Sequence, residues 1–336
     1  MAATIRDVAR QAGVGLGTVS RVLNNSPLVS PITRNRVLTA ITELRYSPSQ
    51  IARSFASGKT FTVSAIAPFF TRPSVVERLR GIESQLTISG YSLVVFNVET
   101  VARRDACIRN ISCHDRSDGV LIMSLTPRED EVLALQEAGT PVVLIDTVAE
   151  GISGVRIDDV YGGELAVRHL IDLGHQRIGF AGDSIDEARA FNFTSSRDRH
   201  IGYMRALDTA GVVRRPEYQC YGVHGRFEAR ILTRNLLQLP EPPTAIFAAS
   251  DTQAMGVLEA ARDLGLRVPA DLSIIGFDDI DVAEYLGLTT VRQPLFMSGQ
   301  RGVDLLLRII GDENLGPQSE VLPIELVMRG TTGSIG

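Results

Sequence analysis

Residues 13–24, GVGLGTVSRVLN, hold one long cationic side chain, Arg21, on what would be the exposed face of a short helix. A guanidinium so placed can make a two-pronged contact with O6 and N7 of guanine. Hydroxyls near a helix start, here Thr18 and Ser20, suit phosphate oxygens. A second kind of chemistry lies downstream, where polar and aromatic residues collect at the ends of strand-like runs. These are Pro68-Phe69-Phe70, Asp146, Asp158, Asp183, Ser250-Asp251 and Phe277-Asp278-Asp279. In paired α/β lobes, the carboxyl ends of the strands are where ligands sit.

The elements around Arg21 can be read from caps and spacing. Thr4-Ile5-Arg6-Asp7 forms a capping box in its Thr/Asp form, and Val8, Ala9 and Ala12 share a face, so a helix is expected over 5–12. Gly13-Val14-Gly15 breaks it, and a second short helix is expected over 16–23 with Val19, Val22 and Leu23 turned inward. Ser30-Pro31 starts a third helix, whose stripe of Val37, Leu38, Ile41 and Leu44 runs to about residue 45. Ser47-Pro48-Ser49-Gln50 opens a fourth segment that stops near residue 56. It is too short to hold a helix alone in water and is expected to fold only against a partner chain or DNA.

Beyond residue 60 the pattern changes to short β-rich runs alternating with helical stretches. TVSAIAP, SLVVFNV, DGVLIM and PVVLID form one series; RIGFAG, TAIFAAS and LSIIGFDD form another. Two such series argue for two α/β lobes with parallel sheets. The expected organisation is an all-α helix-turn-helix head over 1–46, a hinge helix and linker over 47–60, and a two-lobed α/β core over 61–336. One lobe takes 61–160 with 292–318 and the other 161–291 with 319–330. The last part, with a helix over 295–310 and a strand over 321–328, crosses back between them.

TIRDVARQAGVGLGTVSRVLNN and VSPITRNRVLTAITELRYSPSQIARSFASGKT resemble, without a gap, the DNA-binding head and hinge of the LacI family of transcriptional regulators. LIDLGHQRIGFAG, SSRDRHIGYMRAL, AIFAASDTQAMGV and DLSIIGFDDIDVAEYLGLTTVRQP resemble its effector-binding core, which is periplasmic-binding-protein-like. The resemblance implies that Leu16, Gly17 and Arg21 face bases and that Thr18, Ser20 and Asn24 face phosphates. Phe55 takes the position of an apolar wedge that kinks DNA from the minor groove, or else packs on its dimer partner or the body. Thr4, Ser49 and Arg53 complete the implied DNA-facing set. In the core it implies Arg199 as the effector clamp, Asp278 as an acceptor for ligand hydroxyls or amines, and Asp146 and Asp251 as cleft lining. Ser250 stands where several members carry Asn, and Phe69 would carry the ligand ring beneath an arginine. A surface salt bridge for Arg199 and a turn or cap role for Asp278-Asp279 remain the plainer readings. The implied protein is a repressor, a homodimer on a pseudo-palindromic double-stranded operator, controlled by a small polar effector, expected to be a sugar, with no cofactor.

Charge and composition agree with that direction. The chain has a net charge of -5, yet residues 1–60 carry +6 and the remainder -11, as a nucleic-acid contact confined to one end requires. No apolar run spans a membrane and the first ten residues have no signal-peptide core, so a cytoplasmic location is expected. Cys107, Cys113 and Cys220 are odd in number, and Cys113-His114 has no second pair, which argues against a disulfide framework and against a metal site. A hydrolase reading rests on Gly182-Asp183-Ser184 with Asp172 and His175, but that pair precedes the serine and no oxyanion-hole block accompanies it. A stand-alone sugar receptor explains the lobes and leaves the basic head unexplained.

Overall fold

Thr4 opens the first helix, α1 (Ile5–Ala12), as the capping box requires: the Asp7 carboxylate accepts from the Thr4 backbone N–H at 3.0 Å and from its hydroxyl at 2.7 Å. The computed structural model describes residues 3–23, 26–46, 59–111, 117–312 and 314–335. Residues 1–61 and 62–336 form separate compact units.

In the head, α2 spans Leu16–Leu23 and α3 spans Pro31–Glu43. Ser30 caps α3 by accepting from the Thr33 N–H at 3.3 Å. The three helices close on Val8, Ala9, Ala12, Val19, Val22, Val37 and Ala40. Leu38, expected in the α3 stripe, is 46% exposed. Val37, Ala40, Ile41 and Leu44 follow the three-and-four spacing of one helix face, and Leu38 lies one residue off it.

The residue before α2, Gly15, has no side chain with which to cap it. The Gly15 carbonyl accepts from the N–H groups of Thr18 at 2.9 Å and Val19 at 3.2 Å, but Gly15 offers nothing to the first-turn donors. A Cβ added at Gly15 or at Gly17 would meet nothing within 4 Å, so packing within the head does not demand glycine at either place. Gly17→Ala should therefore stabilise the head by up to about 1 kcal/mol, the helix-propensity difference between the two residues. Thermal unfolding checks this, and an unchanged or lowered midpoint would contradict it.

The body repeats one plan twice. The first sheet contains β1 (Thr62–Pro68), β2 (Ser92–Val98), β3 (Gly119–Met123), β4 (Val142–Ile145), β5 (Ser153–Arg156) and β11 (Ser319–Val321). The second contains β6 (Ile178–Asp183), β7 (Gln219–Gly222), β8 (Ala245–Ala248), β9 (Ser273–Asp278), β10 (Thr289–Arg292) and β12 (Glu325–Val327). Their orders, β11-β5-β4-β3-β1-β2 and β12-β10-β9-β8-β6-β7, correspond position by position. All neighbours are parallel except β10 and β12. Central strands β3, β4, β8 and β9 are buried along their whole length, as expected of sheets covered by helices on both faces.

Helices α4 (Pro73–Ser89), α5 (Val101–Arg109) and α6 (Glu129–Glu137) belong to the first lobe. Next come α7 (Asp159–Asp172), α8 (Ile185–Phe191), α9 (Ser195–Thr209), α10 (Arg226–Leu237), α11 (Asp251–Asp263) and the short α12 (Asp281–Tyr285). Helix α13 (Leu295–Gly311) returns to the first lobe and packs on α4. The single strand expected over 321–328, and with it the placement of 319–330 in the second lobe, is corrected. Leu322-Pro323-Ile324 separate two three-residue strands, β11 in the first sheet and β12 in the second. Pro323 has no N–H to continue a ladder, so the chain changes sheets there.

Candidate functional site

Arg199 is fixed by the way α9 meets α7. A Cβ at Gly163 on α7 would lie 2.2 Å from the Arg199 carbonyl oxygen, and one at Gly202 would lie 2.1 Å from the Val160 carbonyl oxygen. Only glycines let the two backbones approach so closely. The guanidinium then reaches the carboxyl ends of the second sheet. Its Nε donates to Asp159 at 2.8 Å, and its Nη1 donates to the Ala249 carbonyl at 2.6 Å and to Asp278 at 3.4 Å. The aromatic beneath it is Phe277, 3.7 Å from the guanidinium carbon, a cation–π contact strengthened by burial.

The first lobe answers with Asp146, which follows β4 at φ 68, as Asp278 ends β9 at φ 117. Two non-glycine residues held in the left-handed region at facing strand ends mark a site where local strain is retained. Asp146 accepts from Ser124 at 2.8 Å and from Arg78 on α4. Gln293, in the crossover between β10 and α13, links the lobes: it accepts from Arg78 at 2.8 Å and donates to Asp278 at 2.6 Å. Asp183, at the end of β6, accepts from His224 at 2.9 Å and from Gln253 at 3.0 Å. The cavity enclosed by these groups is about 60 Å³, against the roughly 300 Å³ at which small-molecule pockets usually begin. The polar groups are folded onto one another and leave no room for a ring in this arrangement.

Burial sets the electrostatics here. It pushes the Asp159 carboxyl up to about 7 against the pull of Arg199, and it raises Asp278 in the same way. Burial also works against the Arg199 charge, but the carboxylates of Asp159, Asp278 and Asp146 hold the guanidinium more firmly protonated than usual. Asp183 ends below the ordinary carboxylate range: burial raises it, and His224 and Arg72 outweigh that.

The expected cleft residues separate into two groups. Asp146, Arg199, Ser250 and Asp278 line the cavity, although the Ser250 hydroxyl is also the N-cap of α11, accepting from the Gln253 N–H at 3.2 Å. Asp251 lies beneath it, fully buried, with its carboxylate accepting from Thr290 at 2.6 Å and from the Ile280 N–H at 2.9 Å. Phe69 is not beneath Arg199. It turns at φ 45 and carries Arg72 at 4.0 Å, because Arg199 belongs to the second lobe and finds its aromatic in the neighbouring strand. Asp158 caps α7, and Asp172 sits at its C-terminal end. His175 is held by Thr244 at 2.9 Å and Ser273 at 3.0 Å, away from Ser184, which caps α8.

Sequence reasoning missed Arg72, Arg78, Ser124, Phe193, His224 and Gln293, all on the cavity wall, and Asp159, which orients Arg199. It also missed a brace between lobes. The segment from α8 to α9 leaves the second lobe and buries Phe191 among Ile66, Ile122 and Leu144 of the first. The fully buried Arg104 donates to the Phe191 carbonyl at 3.2 Å, and Asn192 donates to the Thr126 carbonyl at 3.0 Å.

In the head, Arg21, Gly17, Thr4 and the 46% exposed Leu16 are on the surface, while Thr18 and Ser20 are half-buried. Asn24, Ser49, Arg53 and Phe55 lie outside the described residues. Among the described residues no helix is long and apolar enough to cross a membrane. None of their His, Cys, Asp and Glu side chains group in threes or more as a metal ion would need.

Fold and site together define a helix-turn-helix head and a two-lobed core with a polar cleft. Residues 4–49 match the model of the lacI family of bacterial regulatory proteins, and residues 167–332 match that of a periplasmic binding protein-like domain. Catabolite control protein A of Priestia megaterium is 35% identical over 336 residues, 99% of this chain and 100% of that one. The HTH-type transcriptional repressor CytR of Escherichia coli (strain K12) is 33% identical over 339 residues, 99% of this chain and 97% of CytR. The Lac repressor dimer bound to operator and the anti-inducer ONPF superposes with a TM-score of 0.86 at 28% identity, covering 99% of this chain and 100% of that one. The chain belongs to the LacI family. It is a transcriptional repressor with an effector-binding domain, not an enzyme.

Proposed function

We propose that this repressor binds a pseudo-palindromic operator as a homodimer, and that a small polar effector, a sugar, bound between the lobes controls its hold on DNA. The observation that carries the reading is the continuous polar chain from Asp146 and Arg78 through Gln293 to Asp278 and Arg199. A ligand touching it contacts both lobes and the crossover at once, so its affinity depends on how the lobes are arranged. Only such differential affinity shifts a conformational population. Vicinal hydroxyls suit the arginine forks and carboxylates, and Phe193 adds an apolar wall. The relatives support a sugar: a transcriptional regulator CelR–cellobiose complex has a TM-score of 0.72 at 32% identity, covering 98% of this chain and 99% of that one. Dimeric operator binding is likewise supported by the Lac repressor complex. A thermal-shift screen of sugars and nucleobases on the purified repressor tests the ligand class. A sugar should raise the midpoint; a response to nucleobases alone would replace this reading.

On the DNA side, Arg21, Leu16 and Gly17 would face bases, with Thr18, Ser20 and Asn24 toward phosphates and Thr4, Ser49, Arg53 and Phe55 completing the contact. With Gly17 lacking a side chain and Leu16 limited to apolar surface such as a thymine methyl, Arg21 would carry most of the direct readout in this helix. Arg21→Ala should cost about 1–3 kcal/mol and relax preference at one guanine per half-site. Binding to a set of single-base operator variants checks this. Equal weakening on every variant would move Arg21 to a phosphate role.

A further inference from the structure

The two lobes repeat one arrangement around the cavity. Arg199 lies three residues before Gly202, and Gly163 of the packed helix sits against its carbonyl oxygen. Arg78 lies three residues before Gly81, and a Cβ at Gly299 of the packed helix α13 would lie 2.1 Å from the Arg78 carbonyl oxygen. Each arginine pairs with an aspartate at the end of the third strand of its sheet, Arg199 with Asp278 at β9 and Arg78 with Asp146 after β4.

The repeat differs at Nε. Nε of Arg199 donates to Asp159, the first residue of α7, four residues before Gly163. The first residue of α13, four before Gly299, is Leu295. A leucine side chain accepts no hydrogen bond, and Nε of Arg78 has no partner among the described residues although the side chain is only 3% exposed. Buried guanidinium donors are expected to be paired. The carboxylates on the wall, by contrast, are already engaged: Asp146 by Arg78 and Ser124, Asp183 by His224 and Gln253, Asp278 by Arg199 and Gln293. The fifteen-residue helix α9 also begins on this cavity. Its N-cap Thr194 makes no side-chain cap bond, and Ser195 and Ser196 line the wall. A helix start adds partial positive charge. The unmet requirement of the cavity is an acceptor, preferably a charged one.

We propose that Arg78 is the first lobe's counterpart of Arg199 in the effector site, and that it selects a sugar bearing an anionic group, a carboxylate or a phosphate. The ligand oxygen takes the place that Asp159 fills opposite Arg199. Burial raises the carboxyls of Asp159, to about 7, and of Asp278, which disfavours the negative charge that would oppose such a ligand. The inference rests on the cleft being the effector site.

Calorimetric titration of the full-length repressor with D-glucuronate, D-glucose 6-phosphate and D-glucose tests it. At least one anionic sugar should bind about tenfold tighter than D-glucose, the effect of one charge-assisted contact, and which one binds separates carboxylate from phosphate. Arg78→Met should remove that preference and Arg78→Lys should keep part of it. Leu295→Asp, which supplies the acceptor from the protein, should also remove it while Arg78 stays in place. Should Arg78→Met fail to fold, Arg78→Lys and Leu295→Asp decide. Equal affinity for the three sugars, no binding of either anion, or an anion preference that survives these substitutions overturns the proposal. Neutral sugars that bind through Arg199 without any anion preference would leave the cleft reading standing. Anion binding that ignores both Arg199 and Arg78 would remove both.

Discussion

Arg199→Ala is expected to abolish the effector response and to destabilise the second lobe by up to about 3–5 kcal/mol at pH above about 7. Removing one partner of a buried ion pair is costly because the remaining charge is left without compensation, and here two carboxylates, Asp159 and Asp278, lose their guanidinium. The cost depends on pH, and its sign follows from the direction of the carboxyl shifts. Both groups are raised in the fold, Asp159 to about 7 even with Arg199 present, while an unfolded aspartate titrates near about 4. The folded state therefore binds more protons than the unfolded state between those limits, and stability falls as pH rises through them. Without the pull of Arg199 the Asp159 carboxyl is pushed higher still, so the deficit of the variant should change little between pH 4 and 7 and widen above about pH 7, where the wild type ionises this group and the variant resists doing so. Urea unfolding on both sides of about pH 7 measures it; a deficit independent of pH would show that lost packing on Phe277, rather than stranded charge, is the cause.

Phe191→Ala should have an effect of similar size, about 3–5 kcal/mol, on a different equilibrium. Phe191 packs in the first lobe's core but belongs to the chain of the second, stacked on Phe193 at 5.2 Å and tilted against Phe69 at 5.5 Å. Truncation leaves a cavity in the first lobe and weakens the brace that joins it to the second. The lobes should part more readily, giving a larger radius of gyration in solution scattering and faster effector association. A variant with unchanged scattering and association would confine Phe191 to a local packing role.

The head was legible because its signals are local. Thr4 with Asp7 and Ser30 with Pro31 state where helices begin within a few residues of sequence, and Leu38 was misplaced only by one step around a helix. The body's strand-end aspartates were legible for a topological reason: parallel strands deliver their last residues to one edge, so Asp146, Asp183 and Asp278 had to lie near a common cleft. Which of them touches the cavity was not, since Asp251 differs from Asp278 only in what packs above it. Arg78 resembled a solvated helix residue among Glu77, Arg80 and Glu83. Its one marker was the glycine three residues on, the same spacing as Arg199 and Gly202, and its meaning depends on α13 returning from far along the chain. Phe191 sits in a polar stretch, SIDEARAFNFTSS, where nothing local says that an aromatic crosses to the other lobe.

The central claim is that a ligand in the cleft acts on DNA through the lobes. The direct measurement is fluorescence anisotropy of a labelled operator with full-length repressor, titrated with the sugar that binds in the thermal screen, for the wild type and for Arg199→Ala. The account predicts that the sugar changes wild-type operator affinity by about 5–150-fold, the usual range of allosteric coupling, and leaves the affinity of the Arg199→Ala repressor unchanged. A sugar that binds through Arg199 yet leaves operator affinity as it was would contradict it.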